Sequence, residues 1–258
     1  MKKFLAVALL AFATVASATT ITRDHSDQWW VPTESGWGAN VVQQGDTLFL
    51  TIFVYGADSQ PTWFVGSNVA HQGNNVFSGV LYRTTGPFYQ AGTFDPTAVA
   101  APAVGTVTFN ASAPSGTAVL TYVVNGQTVT KNVVRQQFKL ETIAGTYVGG
   151  AIGAYAGCGA GSGPYDQPAT YTITQTVSSV TIGEFGAGYT CTYTGTYTQA
   201  GRLGKINGTG TCTGVTQGDT QTFQASDVMV TPEGLTAKLL SGNGSCLFTG
   251  RFGGVRRQ

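Results

Sequence analysis

Side chains able to do covalent chemistry are few in this chain and poorly spaced for it. The two histidines are His25, in a polar stretch without periodicity, and His71, beside the turn signal Gln72-Gly73-Asn74 and therefore expected at the surface. A Ser-His-Asp site would have to use one of them. Ser162, between Gly161 and Gly163, lacks the spacing and the strand-to-helix setting of a nucleophile elbow. The glycines of residues 149–163 fit neither phosphate-binding pattern, so this stretch reads as a surface loop tethered by Cys158. Carboxylates are harder to set aside, because a glycosidase needs only two of them about one bond. Glu34, Asp46 and Asp58 are the candidates, but Asp46 and Asp58 occupy turn sequences that favour Asp for backbone reasons, which leaves Glu34 alone in an aromatic setting. No catalytic residue is assigned, and no metal or other cofactor is expected.

That aromatic setting is the most concentrated feature of the chain. All four tryptophans, Trp29, Trp30, Trp37 and Trp63, lie within one short stretch. Large aromatics dominate core energetics, so most of this set is expected to plug or cover a small core. Trp29 and Trp30 are neighbours, however, and neighbours on a strand face opposite sides, so both cannot enter one core. Some of these rings could therefore form a platform for a sugar ring or other small ligand. The contacts would come from Trp29, Trp37, Tyr55 and Trp63, with Asn40 and Glu34 adding polar groups.

The elements that position these residues are strands. From Gly36 onward, short β-prone runs are separated by turn signals at the spacing of a sandwich or small barrel, without an amphipathic helix. In the first half the runs are 37–43, 47–55, 62–69, 76–82, 88–94, 104–110, 118–124 and 127–139. Asn125-Gly126 is the sharpest hairpin signal, because both central residues of a type I′ turn need positive φ. In the run 47–55, Leu48, Leu50, Ile52 and Val54 face one way and Phe49, Phe53 and Tyr55 the other, so both faces are expected to be covered. The second half has runs at 170–177, 180–185, 189–198, 205–213, 221–230, 235–240 and 245–252. The fold class is all-β: two antiparallel β-meander domains, each a small closed or nearly closed barrel.

Cysteine usage separates the halves, since Cys158, Cys191, Cys212 and Cys246 all lie in the second. A two-residue turn at Gly201-Arg202 sets Thr198 opposite Lys205, Tyr197 opposite Ile206, Tyr193 opposite Gly210 and Cys191 opposite Cys212. That register selects the pairs Cys191 with Cys212 and Cys158 with Cys246 from the three possible connectivities. Zinc is not indicated, because close C-x-x-C pairs are missing.

Lys2-Lys3, the apolar run from Phe4 to Val15 and Ala16-Ser17-Ala18 have the form of a cleaved signal peptide. The apolar run is shorter than the roughly 20 residues of a membrane-spanning helix, and no membrane span is expected. Charged residues are 10% of the chain with a formal net charge of +1, which gives no footprint for nucleic acid. The expected organisation is 1–18 signal peptide, 19–28 mobile leader, 29–140 Trp-rich domain and 141–258 disulfide-containing domain, in the periplasm or outside the cell.

The pattern Trp29-Trp30-x-Pro32-x-Glu34-x-Gly36-Trp37-Gly38-x-Asn40, then Gln44-Gly45-Asp46, Phe53-x-Tyr55 and Pro61-Thr62-Trp63, resembles a module of exported bacterial proteins of uncharacterised function. It departs from the pattern at Gly56-Ala57-Asp58-Ser59, and the segment Gly250–Arg257 resembles the C-terminal parts of similar proteins more loosely. The resemblance implies export and β architecture and brings no activity. Together these features describe an exported, non-catalytic binding or interaction module for a glycan or small molecule. The alternatives are a carboxylate-dependent glycoside hydrolase and an envelope protein that self-associates through the Phe49 and Phe53 face; the oligomeric state is left open.

Overall fold

Alternation with a period of two decides both halves of the molecule. Along the run 47–55, Leu48, Leu50 and Ile52 have no exposed surface, whereas Phe49 and Phe53 point outward and are close to half exposed. The computed structural model describes residues 23–90, 92–113, 116–214 and 220–258. The expected signal peptide, 1–18, and the first residues of the expected leader lie outside them.

The first half is a closed antiparallel barrel of eight strands: β1 (Asp27–Trp30), β2 (Gly38–Gln44), β3 (Thr47–Tyr55), β4 (Pro61–Gly73), β5 (Val76–Tyr82), β6 (Ala103–Asn110), β7 (Thr117–Val124) and β8 (Gln127–Arg135). The second half repeats the architecture with β9 (Gly145–Ala156), β10 (Gly163–Gln175), β11 (Ser179–Gly186), β12 (Tyr189–Ala200), β13 (Leu203–Thr213), β14 (Gln221–Val230), β15 (Gly234–Asn243) and β16 (Cys246–Arg256). Each strand pairs with its neighbours in sequence. β1 pairs with β8 to close the first barrel and β9 with β16 to close the second. Asn125 and Gly126 both take positive φ, as the turn between β7 and β8 requires.

Three expectations need correction. The leader is ordered where it is described: Asp27 and Gln28 belong to β1, and His25 is buried against the rings of Phe77 and Phe109. Its anchor is Arg135, far away in sequence, whose buried guanidinium donates to Asp27 at 2.9 Å and to the carbonyls of Ser26 and Asp24. Residues 88–94 form no strand among the described residues. Pro87 lacks a ladder donor and Gly92 takes a left-handed φ, so the chain crosses from β5 to β6 as a long loop with a 3₁₀ turn at Pro96–Ala98. The glycine-rich stretch is mostly strand. β9 continues to Ala156, and only residues 157–162 form the loop, with a short 3₁₀ turn at Gly159–Gly161. Here glycine serves close approach of chains: Gly149, Gly150 and Gly153 lie opposite Gly254, Gly253 and Gly250 across the closing seam. A Cβ on Gly149 would sit 2.0 Å from the carbonyl oxygen of Gly253.

The barrels meet end to end. At the turn between β12 and β13, Arg202 donates its backbone N–H to Asp27 and its guanidinium to Asp24, and Arg23 reaches Asp227 of β14 at 3.4 Å. Ile143, from the connection between the barrels, closes that end of the second barrel, where Tyr147 donates its hydroxyl to the Ile143 carbonyl at 2.8 Å.

Candidate functional site

The tryptophan stretch divides among three environments. Trp29 is 1% exposed, with its indole N–H donating to the carbonyl of His25 and its face under the Arg135 guanidinium. A ring buried in this way cannot touch a ligand from outside, so Trp29 is withdrawn as a contact residue. Trp37 is half-buried at the end of the first barrel remote from His25, where its N–H donates to the Tyr122 hydroxyl at 3.3 Å. Glu34 accepts from Lys131 at 2.5 Å beside it. Asn40, Tyr55 and Trp63 are exposed on the outer wall, with Phe53 directly opposite Trp63. Phe53, Tyr55 and Trp63 are exposed on neighbouring positions of β3 and β4, on the outside of a closed barrel. Asp46 and Asp58 sit at opposite ends of β3, some 30 Å apart at about 3.3 Å per residue, and cannot flank one bond. His71, expected at the surface, is half-buried on β4 with its ring 5.1 Å from that of Phe77.

The concave site lies in the second barrel. At the end away from the first barrel, its interior opens into a cup of about 830 Å³, within the range typical of small-molecule sites. Period-two alternation builds the cup. On β12, Tyr189, Cys191 and Tyr193 point inward while the intervening threonines face solvent. On β11, Val180, Ile182 and then Glu184 occupy inward positions, with Phe185 outside.

Glu184 is the chemical focus. Its Oε1 accepts from the hydroxyls of Tyr171, at 3.4 Å, and Tyr189, at 3.1 Å, and its Oε2 accepts from Tyr193 at 3.0 Å. The hydroxyls of Tyr165 and Tyr189 are 3.3 Å apart, extending this chain toward the rim. Burial holds the Glu184 carboxyl above its ordinary value, while the three phenol donors pull the other way. Burial and the carboxylate together push Tyr171 and Tyr193 far above the usual phenol range, so both remain donors at neutral pH. Tyr193 can lie flat on the wall because Gly210 is opposite; a Cβ there would fall 2.1 Å from Tyr193 Cδ1.

Above Glu184, Tyr155, Tyr165 and Phe248 form a mutual cluster of rings with centroids 5.1 to 5.5 Å apart. The two disulfides, Cys158–Cys246 and Cys191–Cys212, also line the cup. The pairing and the register of β12 with β13 are those expected from the turn at Gly201-Arg202. Glu184 carried a signal that the sequence reading passed over: continuing the alternation from Val180 and Ile182 places it inside.

No family model, curated protein or solved structure matches the chain. Its function is therefore argued from the site itself.

Proposed function

We propose that the protein is an exported, non-catalytic binding protein that holds a small molecule in the cup of its second barrel. The observation that carries this reading is the cup, a concave interior of about 830 Å³ lined by aromatic rings around one buried carboxylate. An eight-stranded barrel is just wide enough to be filled by side chains or to hold one small ligand. Two disulfides support export, because such bonds persist in oxidising compartments. No helix among the described residues is long and apolar enough to cross a membrane. Turnover is not part of the proposal: among the described residues Glu184 is the one carboxylate lining the cup, and a glycosidase pair needs two.

Thermal-shift screening of a small-molecule library, followed by calorimetry, tests the proposal. Leu239→Trp puts a large ring into the cup wall and is expected to remove binding, while Trp63→Ala leaves it unchanged. The exposed surface of Phe53, Tyr55 and Trp63 favours a second reading, a glycan platform on the first barrel. That reading predicts the reverse pattern in the two variants.

A further inference from the structure

We infer that the cup selects an organic cation, a protonated amine carried on an aromatic or aliphatic body; the inference rests on the cup being a binding site. The argument begins with the charges. Among the described residues, Glu184 is the one carboxylic acid lining the cup, and no Lys, Arg or His lines it. Glu184 is 8% exposed, buried from bulk water yet part of the cavity wall. All three groups that hold it are neutral phenols. A buried carboxylate without a positive partner is costly, and a cation brought by the ligand supplies that partner.

Geometry leaves a place for it. A carboxylate has about four lone-pair positions. Oε1 accepts two phenols, whereas Oε2 accepts only Tyr193. The remaining position on Oε2 suits one N–H of an ammonium group, as a charge-assisted hydrogen bond. Tyrosine rings add attraction, because their faces carry negative potential and draw cations. Tyr155, Tyr165 and Phe248 offer such faces together with an apolar surface for the ligand body. An anion would meet the carboxylate directly. A neutral hydroxyl could donate to Oε2 but would bring no charge to balance the carboxylate.

Calorimetry on the full-length protein near neutral pH, with phenethylamine, 2-phenylethanol and 3-phenylpropionate as probes, tests the inference. These probes share a ring and differ in charge. The amine is expected to bind about tenfold more tightly than the alcohol, as one hydrogen bond to a charged group implies, and the carboxylate is expected not to bind. Glu184→Gln should bring the amine down to the affinity of the alcohol and leave the alcohol unchanged. Tyr193→Phe keeps the charge but removes a donor that favours the ionised form. Its amine binding should survive near neutral pH and fade on acidification at a higher pH than in the wild type. This second variant decides the matter if Glu184→Gln does not fold.

Equal binding of amine and alcohol by the wild type overturns the cation inference and leaves the cup as a binding site. A preference for the amine that survives Glu184→Gln also overturns it. Silence from all three probes overturns it as well, and silence from the whole screening library overturns the cup reading with it.

Discussion

The two barrels share strand number, direction and manner of closure, yet one is filled and the other is hollow at one end. In the first, Trp29, Phe77, Phe109 and several leucines are fully buried, His25 closes one end and Trp37 covers the other. In the second, Ile143 and Tyr147 fill the closed end, while the open end has tyrosines directed at a carboxylate. A hollow interior gives up burial that would otherwise stabilise the domain. The hollow barrel is also the one with cross-links, and both of them line the cup. The contrast teaches that an eight-stranded meander is indifferent to being core or container; side-chain choice at one end decides which, and covalent bonds offset the difference.

The largest test of this contrast is reduction. Breaking the bridges, one of which spans 88 residues, should cost the second barrel about 3–5 kcal/mol and leave the first unchanged. Hydrogen exchange read by mass spectrometry reports each barrel separately. If both barrels lose protection together, they form one cooperative unit and the contrast fails. Deletion of rings comes next. Phe109→Ala should destabilise the filled barrel by about 3–5 kcal/mol, seen in denaturant melts followed by tryptophan emission, since every tryptophan lies in that barrel. Tyr165→Ala, whose ring borders the cavity, should cost only about 1 kcal/mol.

Acidification should move the barrels in opposite directions. Burial, helped by the charge of Arg135, lowers His25 from 6.5 to about 4, with the Asn75 side chain offsetting this only in part. The unfolded chain then takes up the proton first, so the filled barrel loses stability as pH falls from 6.5 to about 4, by a total near 3 kcal/mol. Glu184 has the opposite shift, raised from 4.5 by burial. Its folded form binds the proton more readily, so the hollow barrel gains from acid and loses stability as pH rises through the raised value. Exchange protection measured across this range should fall in one barrel and rise in the other, and His25→Phe should flatten the first trend alone. Gly210→Ala, which pushes the Tyr193 ring off the wall, is expected to cost about 1–3 kcal/mol. It should weaken binding in the cup through Glu184, as calorimetry would show.

How much of this was legible in the sequence depended on the range of the interaction. The hairpin from β12 to β13 was readable to the residue, because a two-residue turn and strict alternation determine a register locally. β3 and β5 were equally clear. β1 was missed because it has only four residues: three pair with β2 nearby, but its closure of the barrel depends on Arg135 and β8, more than a hundred positions away. The run 88–94 looked like a strand from its aromatics, so the count of eight in the first half came out right with one false member and one omitted. β9 looked like a loop because its glycines, which allow a tight seam with β16, have the composition of a flexible segment. The cup was hidden for a different reason. Alternation along β12 places Tyr189 and Tyr193 on the inward face; what no local pattern reveals is that side chains leave the space in front of them unfilled.

Closure of the sheets bears on how such a chain avoids sticking to itself. Charged residues make up only 10% of it, so like-charge repulsion contributes little to keeping molecules apart. A barrel has no unpaired strand rim, and it is such rims that template cross-β growth. The weak point is β1, with four residues, two of which pair with β8, and the Asp27–Arg135 ion pair beside them. Unfastening it by Arg135→Met would bare the rims of β2 and β8 together, turning a small local opening into a seed for fibrils.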